Sequence, residues 1–481
     1  MRCNHLDALS LSELIARREL FSRFGAGLTG VALAAMLDAD PLCADTAERH
    51  GVQSNFQPGP HFIPKAKSVI QLFQHGGPSH VDLFDPKPEL NKRDGQESPK
   101  YFTDQALSRH GGLLGTPFKF KPAGQCGVEY SEIVPHMAGC ADDIAVVRSM
   151  YTEHNNHEQA LWMMHTGLTV AGRPTFGSWV NYALGSENKD LPAYVVLRHD
   201  GSLPVDGARN WSAGWLPPRY QGVHFRNTGT PVLYLQPEQP VAPAVQKLRS
   251  DLLAQLNAEH RARSAQIEPQ LEARIASYEL AARMQVSAAE ALDLSQETKE
   301  TQSLYGMDDP VTAPYARRCL MARRLIERGV RFVQIFVEGQ RWDTHADNAN
   351  ATAKICKETD QPSAALLKDL KQRGLLDSTL LVWGGEFGRT PMSQAGGGRD
   401  HHKQGFSLWM AGGGIKGGQA YGATDELGYH AVENRVKVAD LHATMFHLLG
   451  LDPARVTYLL RGRNEKLTDV YEPKLITPLL A

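Results

Sequence analysis

The chain has 481 residues, with 51 Lys and Arg against 53 Asp and Glu, a formal charge of −2. With 42% hydrophobic and 22% charged residues it has a globular composition with ample core material, which excludes disordered, collagen-like and disulfide-knot classes. The near-neutral balance, without a Lys/Arg run, argues against a phosphate-tracking nucleic-acid binder; the unusual feature is 19 His, and they cluster.

The first forty residues read as an address. Arg17 and Arg18 precede an uncharged, Gly/Ala-rich run at 24–37, too short to span a bilayer, which takes about 20 helical residues. A twin arginine before such a run resembles a twin-arginine export signal. Residues 1–44 are therefore expected to be a signal region, and the protein periplasmic or extracellular. Residues 45–65, polar and proline-containing, read as a linker, and no later segment approaches transmembrane length. Six Cys, at 3, 43, 126, 140, 319 and 356, form no Cys-x-x-Cys pair, which argues against a zinc ribbon or a thioredoxin-type motif. Disulfides and buried free thiols both stay open for the last four.

Residues 68–73 read as a buried strand stopped by Gly76-Gly77-Pro78, followed by strands at 143–148 and 193–197. Residues 200–240 carry Pro, Gly and Trp without periodicity and read as a surface insertion. From 241 to about 305 the chain turns helical, rich in Ala, Leu, Gln, Glu and Arg, and Pro269 divides it into two helices serving as scaffold. In the last third, helices at 315–328, 351–373 and 438–449 alternate with apolar strands at 331–337, 379–383 and 406–411. This alternation predicts an α/β fold over 66–455, a mostly parallel sheet sandwiched by helices, with a tail at 456–481. Ligands of such folds bind beyond the carboxyl ends of the strands.

Four predicted strands run straight into polar clusters. After the first come His75, His80, Asp82 and Asp85; after the second, Arg148, Ser149, Thr152, His154 and His157. Asp343 and His345 follow the strand at 331–337, and Glu386, Arg389, Asp400, His401 and His402 follow that at 379–383. Imidazole and carboxylate together suit a divalent metal ion of the zinc, manganese or iron class, with no thiolate needed. Asp343, His345, Glu386 and His401 lead the ligand candidates, joined by Asp400 and His402. His75, His80, His154 and His157 are alternative ligands or acid–base groups, since imidazole titrates near neutrality. Arg148 and Arg389 are expected to hold a substrate anion through paired hydrogen bonds. Asp85 equally suits a turn cap before Pro86. His165, His442 and His447 read as structural, and the glycine runs at 396–398 and 412–414 as mobile loops without phosphate-loop spacing.

The motifs GGPSHVDLFDPKP, RSMYTEHNNHEQA, RWDTH, GEFGRTP, GRDHH and GGGIKGGQAYGATDE, behind the twin arginine, resemble the domain-of-unknown-function 1501 family of planctomycete type, from about residue 60 to 455. That family is related to the alkaline phosphatase/sulfatase superfamily. The resemblance implies an alkaline phosphatase-like fold with a metal site at the strand ends and a small anionic ester or polysaccharide-type substrate. It sets His75 or Gln74 at the place of a first metal-binding Asp, and Ser149 or Thr152 near that of a nucleophile. Asp343 and His345 resemble an Asp/His loop, Glu386 stands for the Asp of an Asp-His pair, and His401 or His402 for a final His. The chain departs from the pattern at Phe387, where that pair would have its His, and at the missing first Asp, for which Asp82 would serve. No Cys stands in the Cys-x-Pro-x-Arg setting that formylglycine formation needs. The implied activity is an exported metal-dependent hydrolase of phosphate, sulfate or related esters, and not a formylglycine sulfatase. The alternative is a non-catalytic periplasmic binding or assembly protein on the same fold.

Overall fold

The apolar runs of the sequence pair into one sheet, and their pairing decides which loops meet. The structure, a computed structural model, describes residues 56–102, 111–227, 241–263, 269–394 and 396–481. The twin-arginine segment and residues 45–55 of the expected linker lie outside the described residues. The strands are β1 (Ser68–Phe73), β2 (Ile144–Tyr151), β3 (Tyr194–Leu197), β4 (Val223–Phe225), β5 (Phe332–Phe336), β6 (Thr379–Gly384), β7 (Phe406–Ala411), β8 (Gln419–Tyr421) and β9 (Val436–Lys437). Their order is β8-β2-β7-β6-β1-β5-β3-β4, with β9 also on β2.

The sheet is mostly parallel. Only β7, among the described strands of this sheet, runs antiparallel to its neighbours β2 and β6. The other pairs are parallel. The short strand β4 falls inside the segment expected to be a surface insertion and forms one edge of the sheet. Shortness is one way a chain keeps such an edge from recruiting another strand.

Seven helices matter for the site and its support: α1 (His157–Thr166), α2 (Phe176–Leu184), α3 (Pro243–Arg263), α4 (Pro269–Leu292), α5 (Ala313–Glu327), α6 (Asn348–Gln372) and α7 (Val438–Leu448). Alternate residues of the strands meet different layers. Ile70, Leu72, Val333, Ile335 and Leu381 pack with Leu320 of α5, Leu366 and Leu370 of α6, and Met284 and Ala288 of α4. Val69, Phe73, Phe332, Phe336 and Leu380 pack on the other side with Leu161 of α1, Trp179 of α2 and Phe446 of α7. A sheet covered on both faces favours apolar residues on both sides of each strand, which is why these strands read as near-continuous apolar runs, interrupted only by Gln71 and Gln334. Each such side chain contributes about 1.5–3 kcal/mol by leaving water.

Arg323 of α5 is 1% exposed and ties its helix to α6 through Asp369, at 2.9 Å, with Glu297 and Glu327 completing its partners. Among the described residues the four cysteines are free thiols, and Cys140, Cys319 and Cys356 are buried. No helix among the described residues is long and apolar enough to cross a membrane.

Register places the site. Phe73 at the end of β1 aligns with Phe336 of β5 and Gly384 of β6, so the loops that follow these three strands leave the sheet side by side. Strand β2 runs to Tyr151, three residues beyond its expected end at 148. Arg148 and Ser149 are therefore inside a strand rather than on the loop beyond it.

Candidate metal centre

At the end of β1 the chain turns through Gly76, whose φ of +116° favours glycine. A Cβ there would sit 2.6 Å from the backbone nitrogen of Asp343, so the absent side chain also lets two loops touch. The Gly76 N–H donates to both carboxylate oxygens of Glu386, at 3.0 and 3.2 Å. Glu386 follows β6 and is fully buried. His157 opens α1 and brings its Nδ1 to 2.6 Å from Glu386 Oε1. His75, also fully buried, has its Nε2 3.8 Å from the same oxygen. Its Nδ1 lies 2.9 Å from the Gly339 carbonyl, which can only accept, so Nδ1 carries the proton and Nε2 presents a lone pair. That Nε2 is buried without a hydrogen-bond partner.

Asp343, on the loop after β5, gathers the next set. Its Oδ1 lies 2.9 Å from His345 Nε2, 3.0 Å from His401 Nε2 and 3.4 Å from His157 Nε2. His345 Nε2 and His401 Nε2 are 2.9 Å apart, and Asp400 Oδ1 is 3.8 Å from His345 Nδ1. Three overlapping groups result: His75, His157 and Glu386; His157, Asp343 and His401; His345, Asp400 and His401. Within each group the candidate ligand atoms lie within 4.8 Å of one another. The cluster runs from a closed end at His75 and Glu386, with no exposed side-chain surface, to an open end at His345, whose side chain is 39% exposed.

Charge follows this gradient. Burial pushes the His75 imidazole below its ordinary value, despite Glu386 beside it. Burial also acts on His157, but its two carboxylate neighbours, Asp343 and Glu386, outweigh it and hold the imidazole up at about 9. Burial would raise Glu386, yet His75 and His157 bring it below the usual carboxylate range. Asp343 is held far below that range against the effect of burial, by His157, His345, His401 and Arg389.

Two outer contacts orient the histidines of the cluster. Gln394 Oε1 lies 2.6 Å from His345 Nδ1, and the Asn155 carbonyl 2.7 Å from His401 Nδ1. Neither Gln394 nor Asn155 stands out in the sequence, because each acts through a histidine distant along the chain. Phe387 packs its ring against His157 and His401, with centroids 4.9 and 4.7 Å apart. Phe387 thus faces the cluster with an apolar, fully buried ring.

Other expected site residues lie elsewhere or are engaged otherwise. Arg389 is fully buried and donates to the carbonyls of Gly77 and Arg399 at 3.0 Å, to the Gly76 carbonyl, and to Asp343 at 2.6 Å. It laces the loops together, and its donors are not free for a substrate anion. Asp82, rather than meeting the histidines, is a fully buried partner of Arg399, at 2.8 and 3.1 Å, with Ser79 and Asn348 on the same carboxylate. His80 binds the Gly428 carbonyl at 2.8 Å, and burial pushes it down to about 3. His402 binds the Tyr429 carbonyl and stacks on His80, so this pair fastens the 428–429 turn. Ser149 donates to the Asn434 carbonyl at 2.7 Å, and Arg148 reaches toward Asp85 at 4.0 Å. The Thr152 backbone N–H binds the Lys403 carbonyl at 2.9 Å, and its hydroxyl has no partner in the cluster. His154 Nδ1 accepts from the Asn156 N–H at 3.0 Å in the turn before α1. Asp85 pairs with Lys87 at 3.0 Å.

A family model described as Protein of unknown function (DUF1501) matches residues 66–480. No curated protein matches the chain in sequence. Similar solved structures include the PsFucS1 sulfatase from Pseudoalteromonas sp., at 13% identity and a TM-score of 0.36, covering 89% of this chain and 72% of that one. The C-terminal periplasmic domain of EcEptC from Escherichia coli, in complex with Zn, gives 11% identity and a TM-score of 0.36 over 85% of this chain and 92% of that one. A protein in the alkaline phosphatase superfamily from Vibrio parahaemolyticus gives 10% and 0.35 over 88% and 75%. Likeness at this level transfers no residue role to the chain.

Proposed function

From the premise that this chain belongs to the DUF1501 family, whose description names no reaction, we propose on the chemistry of its site that it is an exported metal-dependent hydrolase of phosphate, sulfate or related esters. The observation that carries the reading is the buried Nε2 of His75, a lone pair without a partner, facing Glu386 at 3.8 Å within a set of overlapping His/carboxylate groups. Leaving such a group unsatisfied is unfavourable, and a divalent ion satisfies it. Imidazole and carboxylate donors fit a zinc, manganese or iron-class ion. His75, His157, Asp343, Glu386 and His401 would hold it, with His345 and Asp400 extending the set toward solvent.

A divalent ion bound there supplies Lewis acidity toward an ester oxygen. The chain's own residues do the rest. Glu386 fixes the His157 ring through its Nδ1, and Gly339 and Asn155 fix those of His75 and His401 through theirs. Phe387 sets an apolar ring against His157 and His401. Helix α1 begins at the cluster, and the unpaired N–H groups of a first helical turn favour an anion. Because Ser149 and Thr152 make no hydrogen bond to the cluster, water is the proposed nucleophile rather than a side-chain hydroxyl.

The second reading, a non-catalytic periplasmic relative, is favoured by Phe387 in the cluster and by the full engagement of Arg389. Elemental analysis of the purified protein, followed by a panel of chromogenic phosphate and sulfate esters with and without chelator, separates them. About one or two ions per chain and chelator-sensitive hydrolysis are expected. Metal-replete protein inert on every ester selects the second reading, and folded, metal-free protein removes the first.

A further inference from the structure

Outside the metal centre, α5, α6 and the loop after β5 enclose a cavity of about 210 Å³. Arg318 of α5 lines it, although this residue is only 3% exposed. Its Nε is buried without a hydrogen-bond partner, and its guanidinium lies 5.4 Å from the Tyr315 ring. That ring contact does not neutralise the charge. The two carboxylates on the cavity wall, Glu338 and Glu358, sit 2.6 and 3.5 Å from Arg341 instead. Among the described residues Arg318 has no ion pair. With Arg341 and Lys354 also on the wall, three cationic side chains face two carboxylates.

Glu338 and Asp200 act on Arg318 only through space, and a buried guanidinium with no directly paired carboxylate is unfavourable, so a carboxylate or oxyanion in the cavity that bonds it is stabilising. A planar guanidinium also matches such groups with paired hydrogen bonds. We infer that this cavity is an anion site, taking a sulfate, phosphate or carboxylate group against Arg318, with Lys354 at its exposed side. The metal centre shares no residue with it, but one loop serves both. Val337, Glu338 and Arg341 line the cavity, while Gly339 holds His75 and Asp343 enters the metal cluster. The anion is either a free oxyanion or a second charged group on the ester substrate.

Thermal melting with inorganic sulfate, against chloride at equal ionic strength, tests the site without relying on catalysis. Sulfate should raise the melting temperature saturably in the wild type and in Asp343→Asn, and this shift should vanish in Arg318→Met. In sulfate-free buffer Arg318→Met should be at least as stable as the wild type, an outcome that a structural arginine would reverse. Lys354→Met, a change at an exposed position, should weaken half-saturation severalfold and keeps the test open should Arg318→Met not fold. A sulfate shift that persists in Arg318→Met, one unchanged in Lys354→Met, or a wild-type shift no larger than that with chloride overturns the inference. The source is read from esters with one or two anionic groups. If the site binds substrate, Arg318→Met lowers kcat/KM for the doubly charged ester at least about tenfold more than for the singly charged one. Equal effects on the two esters, with the sulfate shift intact in the wild type, identify a free oxyanion.

Discussion

Nδ1 of His157 lies 2.6 Å from Oε1 of Glu386, joining the first residue of α1 to the loop beyond β6. Neither side chain is more than a tenth exposed. The contact turns the imidazole so that its Nε2 looks toward Asp343, at 3.4 Å but off hydrogen-bond alignment. A carboxylate that takes one imidazole N–H fixes the tautomer and leaves the other nitrogen as a ligand.

Glu386→Gln should therefore reduce metal affinity by at least about tenfold, because an amide weakens both the ligand and its hold on His157. Arg389→Met is the contrasting variant, since Arg389 pairs with Asp343 and three backbone carbonyls, not with Glu386. It should cost about 3–5 kcal/mol of stability, the range for breaking a buried pair. Metal titration and urea unfolding of both proteins read the difference. Glu386→Gln protein that stays metal-replete at wild-type affinity would remove Glu386 from the ligand set.

Asp82→Asn should do the reverse. It leaves Arg399 buried without its counter-charge, a loss of about 3–5 kcal/mol, while metal content stays at the wild-type level. If the variant instead lost its metal and kept its stability, the buried pair would not be the role of Asp82.

Acid should destabilise the protein through its buried neutral histidines. His442 on α7 binds the Met164 carbonyl at 2.9 Å and stacks on Phe176, and burial pushes its imidazole down to about 4. Its unfolded value is near 6.5, so below that pH the unfolded chain takes up a proton that the folded one refuses. The stability from this group is present above pH 6.5 and is lost as pH falls toward 4, about 3 kcal/mol in all. His442→Phe keeps a ring against Phe176 and should flatten the acid limb by about one proton in urea unfolding between pH 7 and 4. An unchanged limb would assign the effect to other histidines.

The sheet was legible because β1, β5 and β6 are buried on both faces, and near-continuous apolar runs such as Val69-Ile70-Gln71-Leu72-Phe73, broken only by Gln71, signal that environment. The meeting of the loops after these strands follows from parallel pairing alone, which is why the sequence already groups Asp343 with Glu386. Which polar residue faces which was not legible. Asp82 follows a histidine-rich turn, yet its partner Arg399 is 317 positions away, and no local pattern announces that pair. Ser149 lies off the loop for a different reason: β2 continues through polar residues to Tyr151, with Ser149 bonding the Asn434 carbonyl beside the sheet and Met150 buried. His154 and His157 look alike in sequence and differ only in that α1 starts at the second of them.

The proposed export rests on Arg17 and Arg18, which lie outside the described residues. The apolar run behind them is shorter than a bilayer span, so on this proposal the pair would act as an address read by a receptor. Lysine keeps the charge but loses the planar, five-donor fork, so a receptor that reads the fork distinguishes the two. Burial pushes the Cys140 thiol up to about 11 and raises Cys319 and Cys356 far above the ordinary thiol range, so these three are not poised for oxidation in either compartment. The double variant Arg17→Lys with Arg18→Lys should accumulate as folded protein in the cytoplasm, with the metal content and melting temperature of the exported form, and cell fractionation followed by elemental analysis reads both. Wild-type amounts of the double variant in the exported fraction would sink the twin-arginine assignment, and unfolded cytoplasmic protein would instead tie folding to the exported compartment.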